Sequence, residues 1–319
     1  MEQAEAPGLG LVTEAFADRP LIEVMDWLRV AAPGVTDLEL GAGGYAPTRH
    51  CDMPLLMRDR GARQAWLGEI SSRGMRVAAL NVWGNPLHPD ESIARKHDAD
   101  IRDAIRLATM LGVDRVVALA GCPPGTPGDR TPHFAGGGWL PYLESVYESQ
   151  WERWVAPYWS SIAQFAAGEN PQLLVCLELH PGTAVYNVET FDRLAALGDS
   201  LAANIDPSHF FWMHMDPVTV IADIGDRAGH CHGKDVQFAA QNLARNGLLD
   251  HRWPKGPKTL GWNFAVVGRG HAPSWWREFV GAIRRHTRVR TIAIEHEDPF
   301  AGPEEGVVEA ARVLSGGAG

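Results

Sequence analysis

Short apolar runs alternate along the chain with segments whose apolar residues recur every three or four positions. The runs have the length and composition of buried strands, and glycines and prolines separate them from the helical segments. The pattern predicts eight strands, at residues 9–12, 35–40, 76–82, 115–119, 173–179, 201–205, 228–232 and 289–294. The predicted helices lie at residues 20–30, 55–73, 91–111, 144–167, 188–197, 217–224, 273–286 and 304–314.

This alternation is typical of a parallel sheet, because each parallel strand pair needs a crossover connection. Eight such units in 319 residues predict the fold class α/β, as a closed (β/α)8 TIM barrel in one domain over residues 1–319. A doubly wound open sheet is the alternative, but the glycines at 41–44 lack the GxGxxG spacing of a dinucleotide-binding loop. We expect an inserted loop at 236–272, between the seventh strand and its helix, and a frayed tail at 313–319.

Charge and cysteine content narrow the function classes. The net charge of −10 argues against a partner that is nucleic acid or an anionic membrane surface, since both require a basic face. No apolar stretch reaches the length of a membrane span, and the first residues lack the features of a secretory signal. The four cysteines are scattered without a CxxC pair, so we expect a cytoplasmic protein without a disulfide framework.

Polar residues collect where the last four predicted strands end, which is the end of a barrel where active sites lie. They are Glu178, His180, Asp206, His209, His232, Lys234 and Glu295. The set formed by Glu178, Asp206, His232 and Glu295 is rich in oxygen ligands and lacks cysteine, which suits one divalent ion, Mn²⁺ or Mg²⁺. Such an ion polarises a sugar carbonyl, and two flanking carboxylates can remove and return the proton on the neighbouring carbon.

The motifs around these four residues, LELHPG, NIDPSHFFW, HCHGKD and IAIEHEDP, resemble the xylose isomerase-like TIM-barrel superfamily of sugar phosphate isomerases and epimerases. The resemblance implies that the four residues bind one divalent metal. It also implies that Glu178 and Glu295 act as the acid and base of an epimerase.

Longer motifs, GNPLHPD, HPGTAVYNVET, DPSHFFW and VGRGH, resemble the subgroup that contains the large subunits of 3-oxo-glucoside C-glycoside deglycosidases. This resemblance makes His180 a candidate base and His209 a candidate substrate contact. Further expected substrate contacts are Asn85, His88 and Trp212, with Lys234 and Arg269 for a phosphate or hydroxyl group. An alternative for Lys234 is a simple ion pair with Asp235.

Tryptophans offer a further candidate surface. Trp139, Trp212 and Trp262 can form an aromatic wall against a sugar or an aglycone. Core packing is the favoured interpretation for Trp151, Trp154 and Trp159, because their spacing is helical.

Two reactions remain open at this site. The first is isomerisation or epimerisation of a keto sugar by proton abstraction beside its carbonyl. The second is metal-assisted elimination from a 3-oxo-glycoside, by a lyase or deglycosidase. A catalytically silent binding barrel is the third hypothesis. The expected partner is a small sugar or glycoside, and self-association or a small second subunit stays open.

Overall fold

The computed structural model describes residues 6–136, 140–249, 251–252 and 256–316. Among these residues, eight parallel strands close into a barrel through the pairing of the first strand with the last. The barrel strands are β1 (Gly8–Val12), β2 (Val35–Gly41), β3 (Arg76–Asn81), β4 (Arg115–Leu119), β5 (Leu174–Glu178), β6 (Leu201–Ile205), β7 (Ala228–Gly233) and β10 (Thr291–Ile294). The predicted (β/α)8 barrel is confirmed, and the open sheet is excluded.

Helices connect successive strands around the barrel. Their bounds are α1 Leu21–Ala31, α2 Met53–Arg58, α3 Arg60–Ser71, α4 Glu91–Leu111, α5 Pro141–Gln150, α6 Ala156–Glu169, α7 Val188–Ala195, α8 Pro207–Trp212, α9 Pro217–Ile224, α10 Ala240–Asn246, α11 Pro273–His286 and α12 Pro303–Leu314. Local chemistry sets several ends: Asp90 caps α4 by accepting from Ser92 N, and Gly112 ends it in a left-handed conformation. No described helix combines the length and the apolar character that a membrane span requires.

Two predicted helices are interrupted. The helix predicted at 55–73 is α2 followed by α3, because Asp59 leaves the helical conformation and its side chain accepts from Ala62 N to start a new helix. The helix predicted at 144–167 contains a wider turn, in which Ala156 N–H bonds to Trp151 O five residues back. Pro157, which has no N–H for a regular helical bond, follows this turn directly.

The predicted inserted loop contains regular structure. Strands β8 (Asp235–Phe238) and β9 (Trp262–Ala265) form an antiparallel pair outside the barrel, with α10 between them in sequence. We call residues 235–265 the inserted hairpin.

The predicted frayed tail, residues 313–319, begins too early in the sequence. Helix α12 continues to Leu314, and both Val313 and Leu314 are buried, with Leu314 packing over Gly233 of β7. Residues 317–319 lie outside the described part of the chain.

The barrel interior has two layers of different chemistry. A small apolar cluster of Ala79, Val117, Leu174, Cys176 and Ala202 fills its lower part. Above it, toward the carboxyl ends of the strands, the interior side chains are polar and buried: Glu39, Asn81, Glu178, Asn204, His230 and His232. The main apolar core lies between the strands and the helices. The interior therefore presents a polar floor to the site above.

Candidate functional site

Four residues from four strand ends converge in the upper layer. Glu178 ends β5, Asp206 follows β6, His232 lies in β7 and Glu295 follows β10. All four side chains are buried, and one ligand atom from each lies within 4.8 Å of the others. The structure thus brings together the predicted metal-ligand set, although the residues are separated by as many as 117 positions (295 minus 178).

Glu39 of β2 orients His232. His232 Nε2 lies 3.1 Å from Glu39 Oε2, while its Nδ1 lies 3.0 Å from Glu295 Oε2. The ring is therefore fixed with Nδ1 toward the other ligands, as outer carboxylates commonly fix metal-binding histidines. Burial alone would raise the pKa of Glu39, but His232 and His230 bring that pKa below its ordinary value. Glu39 also accepts from Asn81 Nδ2 at 2.6 Å.

Lys234 places a buried cation beside two of the four residues. Its Nζ lies 3.1 Å from Asp206 Oδ2, 2.9 Å from Glu295 Oε2 and 3.0 Å from Glu297 Oε2. Burial would lower the pKa of Lys234, but these carboxylates raise it well above its ordinary value. The predicted alternative, a pair with Asp235, is wrong.

The donor set fits a divalent cation. Asp206 Oδ2 and Glu295 Oε2 are buried and accept no hydrogen bond of regular geometry from any described residue. Lys234 Nζ lies close to both oxygens, and each oxygen also lies near one imidazole, His209 beside Asp206 and His232 beside Glu295. Three carboxylates beside one ammonium leave an excess of negative charge in a buried space. Buried carboxylates of this kind require a counter-charge, and oxygen ligands with one imidazole suit Mn²⁺ or Mg²⁺.

Two histidines flank Glu178. His209 Nε2 lies 2.8 Å from Glu178 Oε1 and 3.3 Å from Asp206 Oδ2, while its buried Nδ1 has no described partner. The ring of His180 lies 4.2 Å from that of His209, and His180 Nδ1 is 2.6 Å from Pro181 O. Burial and the nearby His209 lower the pKa of His180 to about 4. A neutral His180 that donates through Nδ1 keeps a free lone pair on Nε2 for accepting a proton.

The inserted hairpin lies against this site. The Phe264 ring is 4.5 Å from Lys234 Nζ and 5.8 Å from the His209 ring. Trp262 stacks between Trp212, at 5.0 Å, and His251, at 3.7 Å. Of the tryptophans predicted to form an aromatic wall, Trp212 and Trp262 thus stack on each other, and Trp262 also contacts Phe264 at 5.4 Å.

The other tryptophans of the sequence prediction lie elsewhere. Trp151 and Trp159 are fully buried in the core, and Trp154 packs against it, as their helical spacing indicates. Trp139 lies outside the described residues.

Three predicted substrate contacts have other partners. Asn85 Oδ1 accepts from Leu87 N and Cys122 N, so this side chain joins two loops. His88 accepts from Asp90 N and lines a surface groove whose lining includes none of the four predicted ligands. Arg269 pairs with Glu305 and Glu309 on α12, because two exposed carboxylates one helical turn apart match its guanidinium. Their role as substrate contacts stays a prediction.

The sequence prediction missed two acids near the site. One is Glu39, described above. The other is Glu14, which follows β1, and whose buried Oε1 has no partner among the described residues. Burial first, and then the charges of Glu295 and Glu39, raise the pKa of Glu14 to about 8. Only the position of Glu14 in the sequence could have indicated it, because it follows the first strand just as Glu295 follows the last.

The glycine-containing loop after β2 packs against the backbone of Trp83. Gly44 has a φ of +69°, and a Cβ there would collide with Trp83 O, while Tyr45 N donates to the same oxygen at 2.5 Å. The Trp83 ring lies 6.0 Å from the ring of His232. The loop thus positions a tryptophan beside the site.

Comparisons with known proteins agree with this architecture. The sequence matches the family described as xylose isomerase-like TIM barrel over residues 38–316. An uncharacterized protein of Bacillus subtilis (strain 168), YfiH, is 32% identical over 310 residues, which are 96% of this chain and 97% of that protein.

Two solved structures share the fold. IolI protein with a zinc atom has a TM-score of 0.63 at 14% identity, covering 97% of this chain and 98% of that chain. D-psicose 3-epimerase from Clostridium cellulolyticum H10, with D-tagatose, has a TM-score of 0.59 at 14% identity, with the same two coverages. At this identity the two likenesses show the fold.

Proposed function

The chain belongs to the xylose isomerase-like TIM-barrel family, and from this we propose that it is a divalent-metal-dependent sugar isomerase or epimerase. The proposed reaction is proton abstraction from the carbon beside the carbonyl of a keto sugar. One observation carries the proposal: Glu178, Asp206, His232 and Glu295 converge, buried, at the carboxyl end of the barrel.

Glu178, Asp206, His232 and Glu295 would hold the ion, with His232 contributing Nδ1. Mn²⁺ or Mg²⁺ supplies Lewis acidity, which makes the C–H bond next to a bound carbonyl more acidic. Asp206 and Glu39 have no proton to move in this proposal. They keep the ligand set in place, Asp206 as a ligand and Glu39 through its hydrogen bond to His232.

Glu178 and Glu295 are the proposed base and acid. They belong to β5 and the end of β10, which β6 and β7 separate in the ring, so they would approach a bound sugar carbon from two directions. His209 donates to Glu178 through Nε2 and offers Nδ1 to a substrate hydroxyl. Lys234 keeps Glu295 beside a positive charge and is placed to contact a substrate oxygen.

The test combines metal removal with isotope exchange. EDTA should abolish turnover of a keto sugar, and Mn²⁺ or Mg²⁺ should restore it. In D₂O, NMR of the recovered sugar should show deuterium at the abstracted position. Glu295→Gln should reduce turnover by about 10²–10⁴-fold with the fold intact by circular dichroism, whereas Glu309→Gln, on the surface, should not. Full activity after complete metal removal would refute the proposal.

A second candidate is elimination from a 3-oxo-glycoside. The observation that favours it is the set of aromatic side chains near the site, in which Phe264 lies 5.8 Å from the His209 ring and 5.4 Å from Trp262, with neutral His180 next to His209. Such apolar rings suit an aglycone. In this reaction His180 would remove the proton next to the 3-oxo group, and the substituent at C1 would leave with the bond electrons. Release of an aglycone from a 3-oxo-glycoside, without epimerisation of free keto sugars, would favour this candidate over the first.

A further inference from the structure

A second cleft lies at the opposite end of the barrel, where the strands begin. It has a volume of about 470 Å³ and is lined by residues next to the starts of β1, β2, β3 and β10. Four of its lining side chains are arginines, Arg76, Arg284, Arg288 and Arg290, and one is an acid, Asp37. We call this the basic cleft. Its composition contrasts with the whole chain, whose net charge is −10.

The two described acids near the basic cleft, Asp37 and Asp114, already have hydrogen-bond or ion-pair partners. Asp37 Oδ2 accepts from Arg76 Nη2 and from Thr291 Oγ1, each at 2.5 Å. Asp114 pairs with Arg290 and also lies 3.2 Å from Nη1 of the buried Arg115. Arg288 is exposed and forms no ion pair with any residue in the described ranges.

Among the described residues that line the basic cleft, four arginines therefore face one carboxylate. Behind the lining, the charges of Arg290 and Arg288 add to the effect of burial in lowering the pKa of Arg115. Like charges held this close repel one another, and an anion bound between them would relieve the repulsion.

We propose that the basic cleft binds a small multivalent phosphate, such as the diphosphate or triphosphate group of a soluble metabolite. Guanidinium groups match phosphate oxygens in paired hydrogen bonds, so several arginines around one cleft favour phosphate over a single carboxylate. The volume is that of a small-molecule site. A bound anion would contact the starts of non-adjacent strands β3 and β10 and so stabilise the closed barrel.

The inference does not depend on the proposed function, because the basic cleft shares no residue with the upper site. Its test uses inorganic pyrophosphate as the probe and the full chain in EDTA at near-physiological salt, so that chelation of a metal does not contribute. Isothermal titration should show saturable binding with one site, and thermal unfolding should shift upward with pyrophosphate.

The matched variants are two doubles of equal charge change. Arg284→Gln with Arg288→Gln should weaken pyrophosphate binding by about tenfold or more, which is the loss of roughly one charge-assisted contact. Arg245→Gln with Arg277→Gln, both exposed and outside the cleft, should leave binding within about twofold.

Three results would overturn the proposal: absence of saturable binding, an equal loss in both double variants, or full binding in the cleft variant. A lipid source of phosphate is tested with vesicles that contain phosphatidic acid. Cosedimentation with the vesicles that depends on Arg284 and Arg288, without pyrophosphate binding in solution, would replace the soluble anion by a membrane surface and so contradict the proposal.

Discussion

Glu39 decides which nitrogen of His232 faces the predicted cation. It accepts from His232 Nε2, so that Nδ1 points to Glu178 and Glu295. Its neighbour His230 donates to it at 2.6 Å and so fixes the carboxylate in turn. The orientation of His232 for metal binding thus depends on Glu39, which is not one of the four predicted ligands.

Replacing Glu39 should therefore weaken metal binding. Glu39→Gln should reduce the affinity for Mn²⁺ by about 10–100-fold, since outer-shell partners orient the ligand and raise its basicity. Titration calorimetry of the EDTA-stripped protein measures this, with Glu305→Gln on α12 as the surface control. Equal Mn²⁺ affinity in Glu39→Gln and wild type would contradict the orienting role.

Glu14 should make the stability of the metal-free protein depend on pH. Its pKa rises from 4.5 to about 8 in the folded state, chiefly through burial. Between these two values the folded chain holds a proton that the unfolded chain has lost, so stability is greatest at low pH in this window and falls as the pH rises.

The free energy of unfolding should fall by about 2–4 kcal/mol between pH 5 and pH 8, which is less than the full pKa shift of Glu14 would give. Glu14→Gln removes the titrating group and should flatten that slope. Denaturant unfolding of both proteins in EDTA, at several pH values, makes the comparison. An identical slope in the variant would show that other groups cause the dependence.

Single residues mark the limit of sequence reasoning. The set of Glu178, Asp206, His232 and Glu295 could be predicted, because each lies at or just after the end of a recognisable strand and parallel strands end together. Glu39 lies within its strand among apolar neighbours, and nothing local indicates that it reaches His232, which is 193 positions away. The partners of Arg269 were hidden from the sequence for the same reason, since they belong to α12, 36 and 40 positions further on.

At the scale of elements, Asp235 connects the start of the inserted hairpin to the loop that follows it. Its Oδ2 accepts from Gly268 N, Gly270 N and His271 N at 3.0–3.1 Å, and its Oδ1 lies 2.7 Å from His271 Nδ1. One buried carboxylate thus satisfies several backbone donors in the loop between β9 and α11. The hairpin needs this connection, because its strands pair only with each other among the described strands.

Asp235→Ala should destabilise the protein by about 3–5 kcal/mol, because it leaves buried N–H groups unpaired. Urea unfolding monitored by circular dichroism measures the loss. Asp226→Ala, at an accessible turn after α9, should change stability by less than about 0.5 kcal/mol. A loss no larger than that of Asp226→Ala would show that water satisfies these donors.

Elements were predicted well where local periodicity decides them, as in β4 and α4, whose observed bounds match the predicted ones. The break between α2 and α3 and the wide turn before Pro157 follow from single residues within otherwise helical patterns, which an averaged periodicity conceals. The hairpin was predicted only as a loop, since β8 and β9 are four residues each and 23 residues, 239–261, separate them.

At the scale of the whole molecule, the barrel separates charge between its two ends. Carboxylates gather at the carboxyl ends of the strands, and arginines gather where the strands begin. A cation should therefore stabilise the fold from the acidic end, because it binds the folded chain in preference to the unfolded one.

Adding Mn²⁺ in large excess to the EDTA-treated protein should raise its melting temperature by several degrees, from about 2–3 kcal/mol of binding free energy. The double variant Glu178→Gln, Glu295→Gln should lose this rise and keep the barrel, as near-ultraviolet and far-ultraviolet circular dichroism can verify. An equal increase of the melting temperature in the double variant would show that the stabilising Mn²⁺ binds at another site.

The independence of the inserted hairpin has a consequence for how this protein can diversify. Its two strands take no part in the closed ring of eight, so changes in their length or side chains leave the barrel register untouched. Phe264 lies 4.5 Å from Lys234 Nζ, so a change in the hairpin would alter the surroundings of the upper site without moving any of the four converging residues. Under the proposed function, substrate preference could therefore vary through the hairpin while the barrel keeps the residues proposed for the reaction.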